Sequence, residues 1–271
     1  MQHCSMSKKH NNLHVMRKQV TDFTIVGKKI FNEMYFSLTL KHPDKIGEIE
    51  AGQFVEVEVP GNKQVTLRRP ISIHDVDTDN NTLTMLIQVV GKGTRTLATL
   101  EVGDTLNLVY PLGHGFSLEG ERVLLVGGGA GIAPLLHLSK CLKEKGITPT
   151  ILLGGRTAAL IPVQKEFEPY GKVCFATEDG SLGEKGMVTQ HTMFAADYDH
   201  IYTCGPTPMM KAVARHAMQN GIECEVSLEN MMACGIGACL CCVVDSDEGH
   251  KCVCKEGPVF NAKKLTNWIN K

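Results

Sequence analysis

Four cysteines near the end of the chain carry the densest chemistry. Cys234, Cys239, Cys242 and Cys254 stand at the spacing C-x4-C-x2-C-x11-C. A tight loop that supplies three thiolates, with a fourth from a more distant segment, is the plant-type pattern for a [2Fe–2S] cluster. Gly235 and Gly237 interrupt the loop. They let the backbone wrap closely and aim N–H groups at the sulfurs. Cys241 and Cys252 are surplus to a four-ligand site. A structural zinc site is the other reading of clustered thiols. It would favour repeated C-x2-C pairs, and Cys239/Cys242 is the one such pair here.

A cluster moves single electrons, so the next question is what feeds it. Three other constellations bear on that. The run Val123–Pro134, VLLVGGGAGIAP, is an apolar strand that enters glycines Gly127, Gly128, Gly129 and Gly131 at a helix start. Such a turn can accept a pyrophosphate. It can equally serve close packing between strand and helix. Arg68-Arg69-Pro70-Ile71-Ser72 and, further on, Gly91-Lys92-Gly93-Thr94 form the second constellation. Arg69 and Ser72 could hold one phosphate, and Gly93 with Thr94 a second; a surface ion pair would also explain Arg69. The third is Cys204-Gly205-Pro206, read as the carboxyl end of a parallel strand, where ligands of α/β sheets bind. No neighbouring His or Asn would make Cys204 a nucleophile, so no catalytic side chain is assigned.

The elements that must position these groups fall into three stretches. Residues 1–17 read as a loose tail. Residues 18–117 hold short alternating segments such as FTIVGKKI, MYFSLTLKH, FVEVEVP, TLTMLIQVV and DTLNLVY, which suggest an antiparallel barrel with RRPIS at the end of one strand. Residues 118–222 alternate strand and helix, with helices expected in AGIAPLLHLSKCLKEKG, VQKEFEPYG and TPMMKAVARHAMQNG. That alternation implies a parallel sheet. Residues 223–271 form a third unit, too small for its own core without a metal staple.

Composition narrows the class. The 271 residues are 43% hydrophobic, enough for a substantial core, and the net charge of −1 suggests no nucleic-acid surface. Seven of the eleven cysteines lie between residues 224 and 254. Such clustering, in a chain whose N-terminus lacks an apolar signal region, points to metal in a reducing compartment and a cytoplasmic location. No membrane span is expected, because the longest apolar stretch, Val123–Leu138, is broken by glycines and a proline. Cys4, Cys141 and Cys174 read as buried free thiols.

Taken in order, RRPIS, GKGT, PLGHGF, GGGAGIAP, EDGSLGEKGMVT, CGPTPMM and CGIGACLCC…CKEGPVF resemble the electron-transfer subunit of class 1B dihydroorotate dehydrogenase. That is a branch of the ferredoxin–NADP reductase superfamily with an added [2Fe–2S] domain. The resemblance runs from about Val20 to Phe260. It implies an FAD-binding barrel, an NAD-binding α/β domain and a C-terminal cluster domain. It further implies that Arg69, Pro70, Ile71, Ser72, Leu86, Ile87, Gln88, Gly93 and Thr94 bind FAD. Gly127, Gly128, Gly129, Gly131, Cys204, Gly205 and Pro206 would frame NAD, and Cys234, Cys239, Cys242 and Cys254 would hold the cluster. Cys254 is preferred to Cys252 because it precedes KEGPVF. Ile87 and Gln88 depart from the aromatic and Arg usual at that strand.

The implied role is NAD-linked electron transfer in pyrimidine biosynthesis, with an FMN-containing catalytic partner in a heterotetramer of two copies each. A flavin would stand between NAD, which exchanges hydride, and the cluster, which exchanges single electrons. Two other readings are a reductase subunit of the ferredoxin–NADP oxidoreductase or sulfide dehydrogenase type, and a zinc-binding adaptor.

Overall fold

The computed structural model describes residues 18–271; the expected tail, with Cys4, lies outside the described residues. Alternation builds the first half. β1 (Gln19–Asn32), β2 (Tyr35–Lys41), β3 (Phe54–Val57), β4 (Arg69–Asp77), β5 (Thr82–Gln88) and β6 (Thr105–Leu112) close into a barrel in the order β1-β2-β5-β4-β3-β6. Every neighbouring pair is antiparallel. Phe23, Leu38, Val55, Val57, Ile73 and Leu83 point inward and fill the interior. RRPIS opens β4 rather than ending a strand. The residues after it form a strand that plain alternation hides, because a bulge between Ile73 and Asp75 breaks the period. α1 (Lys92–Leu97) follows β5.

Next come β7 (Val123–Gly128), α2 (Ala133–Glu144), β8 (Thr150–Gly155), β9 (Lys172–Thr177), the two-residue β10 (Glu184–Lys185), β11 (His200–Cys204), α3 (Thr207–Gln219) and β12 (Glu223–Ser227). β7 is buried at every residue, as a central strand covered on both faces must be. The helix expected over VQKEFEPYG is only a 3-10 turn at Gln164–Phe167, flanked by Pro162 and Pro169, which limit regular helix on either side.

β13 (Val243–Ser246) and β14 (Gly249–Cys252) form a hairpin, followed by α4 (Val253–Glu256), β15 (Val259–Asn261) and α5 (Thr266–Asn270). The large sheet runs β10-β9-β8-β7-β11-β12-β15, parallel except for β15, which pairs antiparallel with β12. Hydrogen bonding therefore continues across residues 222 and 223. The C-terminal segment is tied into the α/β sheet at both of its ends. The chain winds outward from β7 to β10 and then returns to β11 on the other side of β7. This switch point puts Gly127 opposite Cys204 at the carboxyl ends of the strands. An open α/β sheet forms its ligand crevice at such a point.

Candidate cofactor and cluster sites

A cleft of about 450 Å³ opens between the barrel and the sheet. Arg69, Pro70, Ile71 and Ser72 of β4, Leu86 and Gln88 of β5, and Thr94 of α1 line one side. Alternation explains the exception. Ile87, between Leu86 and Gln88, turns inward and is fully buried in the barrel core, so its side chain does not reach the cleft. Ala130, Ala133 and the segment Ser227–Met232 line the other side.

The two arginines of RRPIS part company. Arg68 is consumed by the fold. Its Nη1 donates to the Asn107 carbonyl at 3.0 Å, and its Nη2 to Asn107 Oδ1 at 2.5 Å and Glu58 at 3.1 Å. Arg69 donates through Nη1 to the Leu67 and Arg68 carbonyls at 2.9 and 3.0 Å, and among the described residues the rest of its fork is unbonded at the cleft. Its stem lies over Gly93, where a Cβ would come within 2.6 Å of Arg69 Nε. Gly93 therefore makes room for Arg69. The Thr94 hydroxyl accepts from the Val90 and Gly91 N–H groups at 2.9 and 3.1 Å. It caps the start of α1 and itself donates to the Gly91 carbonyl at 3.3 Å. The donor set of the cleft, a partly free guanidinium beside an uncommitted Ser72 hydroxyl and apolar walls, fits a flavin dinucleotide.

The glycine loop at the switch point proves to be a packing device at three of its four glycines. A Cβ on Gly127 would meet Leu135 at 2.7 Å, one on Gly128 would meet Met209 Sδ at 2.7 Å, and one on Gly131 would meet the Gly205 nitrogen at 2.3 Å. Gly131 lets the loop after β7 touch the Cys204–Pro206 turn, Gly128 makes room for Met209 of α3, and Gly127 for Leu135 of α2. Gly129 differs. It has φ +57°, and its open side faces the Tyr35 hydroxyl at 3.9 Å. That hydroxyl is buried and has no hydrogen-bond partner among the described residues.

Two further residues that motif reading missed belong to this crevice. Glu229 borders the cleft and is reached by solvent from that side, while protein crowds the rest of its side chain and raises its carboxyl above the usual range. The fully buried Cys204 thiol points at it, with Sγ 3.9 Å from Glu229 Oε1. Burial, then the Glu229 charge, pushes the Cys204 thiol far up, so it is a neutral donor and not a nucleophile. The same two causes push the Tyr35 phenol up to about 12. The only local signal for Glu229 was a lone acid in the apolar run just before the cysteine loop.

The cysteine loop begins at Cys234, four residues beyond the cleft-lining Asn230. Cys234 Sγ accepts N–H groups from Ile236 at 3.5 Å, Ala238 at 3.3 Å and Cys239 at 3.4 Å. Cys254 Sγ accepts from Gly237 at 3.1 Å, and Cys242 Sγ from the Cys254 N–H at 3.3 Å. The four sulfurs fall into two pairs. The Cys239 N–H lies on Cys234 Sγ, and the Cys254 N–H on Cys242 Sγ. Burial opposes ionisation of Cys234, but the N–H groups outweigh it and bring the thiol down to about 6. Burial and the adjoining Cys242 push Cys254 up to about 12. Among the described residues no three His, Cys, Asp or Glu side chains gather about one point as a single metal ion requires. Two pairs of cysteine sulfurs backed by N–H donors fit a binuclear cluster in which each iron takes two protein sulfurs.

Gly235 (φ +65°) and Gly237 (φ +83°) are in the left-handed region, and Leu240 is forced there too at φ +58°. Cys252 is buried in the hairpin, with its N–H on Glu256 at 2.7 Å, and Cys241 is exposed. Cys141 and Cys174 are half-buried rather than buried.

The cleft and the loop share a wall. Phe54 of β3 lines the cleft. Two residues on, about 7 Å along the strand, Glu56 meets the cysteine loop at Gly235.

Three segments of the chain match known protein families. Residues 22–116 match a family profile for an oxidoreductase FAD-binding domain, and residues 125–215 one for an oxidoreductase NAD-binding domain. Residues 229–266 match the iron–sulfur cluster binding domain of dihydroorotate dehydrogenase B. The chain is 40% identical over 256 residues to the electron transfer subunit of dihydroorotate dehydrogenase B (NAD(+)) from Caldanaerobacter subterraneus subsp. tengcongensis, covering 92% of this chain and 99% of that one. Its identity to the Bacillus caldolyticus subunit of the same name is 38% over 250 residues, 89% of this chain and 96% of the other. Among solved structures, it resembles one reported for the NADH-dependent reduced ferredoxin-NADP oxidoreductase, with TM-score 0.81, 33% identity, and coverage of 90% and 89%. A ferredoxin NADP+ reductase from Neisseria gonorrhoeae with bound FAD and NADP shares the fold at TM-score 0.63 and 17% identity, over 74% of this chain and 92% of that one.

Proposed function

The chain belongs to the family of electron transfer subunits of NAD(+)-dependent dihydroorotate dehydrogenase B, and we propose that it carries electrons between an FMN-bearing catalytic subunit and NAD. The observation that carries this reading is the shared wall of cleft and cysteine loop, with Phe54 on the cleft and Glu56 under the loop. A carrier in the cleft and one in the loop would lie side by side. Bound there, a flavin exchanges hydride with a nicotinamide and single electrons with an iron–sulfur cluster.

In this reading Arg69 and Ser72 hold the flavin pyrophosphate, and Pro70, Ile71, Leu86 and Gln88 contact the flavin. Gly93 leaves room for Arg69. The Gly127–Gly131 loop and the Cys204–Pro206 turn frame NAD. The buried Cys204 and Tyr35 and the solvent-reached Glu229 supply neutral or weakly acidic groups beside the crevice, where hydride transfer needs no strong base. Cys234 and Cys239 hold one iron, and Cys242 and Cys254 the other.

Met231 is 84% exposed, Leu240 64% and Ile236 47%, an apolar rim about the cysteine loop. Such a rim supports burial against the catalytic subunit. The assembly we propose is a heterotetramer with two of each subunit, working in the cytoplasm in pyrimidine biosynthesis. No helix among the described residues is long and apolar enough to cross a membrane. The similarity to an NADH-dependent ferredoxin–NADP oxidoreductase structure supports a second reading, a reductase subunit serving ferredoxin. One comparison decides between them: NAD reduction by dihydroorotate, with the catalytic subunit alone and with this chain added. We expect NAD-dependent orotate formation only with both. A catalytic subunit that reduces NAD equally well alone overturns the assignment.

A further inference from the structure

Strand β4 does two jobs along its length. Its start, Arg69–Ser72, lines the flavin cleft. Two residues later, His74 is 1% exposed and leaves the barrel altogether. The bulge between Ile73 and Asp75 is what re-aims it. Its Nδ1 donates to the Ala133 carbonyl at 2.7 Å, and Ala133 is the first residue of α2, two positions beyond Gly131 of the nucleotide loop. Its Nε2 meets Glu166 Oε2 at 3.2 Å. Glu166 lies on the 3-10 turn of the α/β domain, and Lys29 of β1 reaches its other oxygen at 2.8 Å. Burial pushes the Glu166 carboxyl up, but the bonds from His74 and Lys29 outweigh it and hold the carboxyl below the usual range.

Both ring nitrogens of His74 thus face acceptors on the domain opposite its own strand. A buried ring held at both ends has one orientation, and the cost of breaking either bond is that of an unpaired buried polar group. A second polar contact lies further along α2, while Tyr35, Ala51 and Leu86 of the barrel half pack with apolar residues of the α/β domain. Lys140 of α2 donates to the Val76 carbonyl at 2.7 Å and to Asp75 at 3.2 Å. An apolar seam could slide, whereas directional bonds fix a register.

We propose that His74 is a positioning residue for hydride transfer: it locks the start of α2, which carries the nucleotide loop, to the strand that carries Arg69 and Ser72, and so sets the approach of nicotinamide to flavin. This rests on the reading that NAD and a flavin meet in this crevice. Nothing in it requires His74 to touch either group.

The test uses the FAD- and cluster-loaded protein, with His74→Leu and, as a partner change at a less buried position, Glu166→Gln. Anaerobic stopped-flow bleaching of the flavin by NADH gives the limiting rate and the apparent dissociation constant separately. The long-wavelength charge-transfer absorbance of NAD with reduced flavin reports their stacking. We expect unchanged FAD and iron content and a limiting rate lower by roughly tenfold to a hundredfold in His74→Leu, the scale of an ångström-level misplacement. The charge-transfer band should weaken, NADH affinity should change far less, and Glu166→Gln should go the same way to a smaller extent. A limiting rate and band equal to wild type in both variants, with only lower thermal stability or weaker NADH binding, overturns the inference alone. If NADH does not bleach the flavin of the wild-type protein, the functional reading falls and this inference with it.

Discussion

Glu56 fills the space that a side chain on Gly235 would need: a Cβ built there would come within 2.6 Å of Glu56 Cγ. Glu56 is 1% exposed, and among the described residues neither of its carboxyl oxygens has a hydrogen-bond partner. Burial pushes it up to about 7. The barrel and the cysteine loop therefore meet at a point with no spare volume.

Gly235→Ala should for that reason unseat the loop. The residue sits at φ +65°, where a side chain costs roughly 1–2 kcal/mol before any overlap with Glu56. Iron and labile sulfide should fall well below one cluster per chain while FAD content is retained, as read by metal assay and visible spectrum. Full iron content in this variant would mean that the loop closes differently.

The sulfur pairing predicts which cysteines matter. Cys239→Ser should lose most of the iron, because it replaces a soft thiolate with a hard hydroxyl. Cys241→Ser and Cys252→Ser should keep it, since one thiol is exposed and the other is buried in the hairpin. Electron paramagnetic resonance of the reduced protein checks all three. Stoichiometric zinc without iron after anaerobic purification would overturn the cluster assignment itself.

The two neighbouring arginines should separate cleanly. Arg69→Ala should purify flavin-poor, with a loss on the order of 2–3 kcal/mol, or roughly a hundredfold in affinity. Arg68→Ala should keep its flavin and lose thermal stability instead, because it strips donors from Asn107 and Glu58. Absorbance ratios of the purified variants and their melting temperatures are the two measurements.

Buried thiols give a pH dependence with a definite sign. Burial pushes Cys224 up to about 12 from an ordinary value of 9.0. Above pH 9 the unfolded chain would release this proton while the folded chain keeps it. Stability should then fall as pH rises from about 9 towards 12, and less steeply in Cys224→Ala. Denaturant melts at pH 8, 9 and 10 would show it. An equal slope in both proteins would assign the loss to other groups. At neutral pH, iodoacetamide should leave Cys204 and Cys224 unmodified and label Cys241.

Local chemistry is what the sequence by itself determined. Four cysteines within about twenty residues, glycines at a strand end and a run of alternating apolar residues act over short stretches of chain. The cluster loop, the parallel sheet and most barrel strands were legible for that reason. Local reading failed where a neighbour in space overrode it. The bulge at His74 concealed β4, flanking prolines cut the helix expected at Val163–Gly171 to one turn, and strand alternation turned Ile87 away from the cleft. Only the tertiary structure decided which of Arg68 and Arg69 is free, because Asn107 and Glu58, which capture the first, are brought in by other strands. The same holds for Cys204 and Glu229, twenty-five residues apart in sequence, and for Glu56 beneath Gly235. Each of these relations depends on a buried group finding, or failing to find, a partner across the fold. That is a property of packing at long range, and residue spacing along the chain does not encode it.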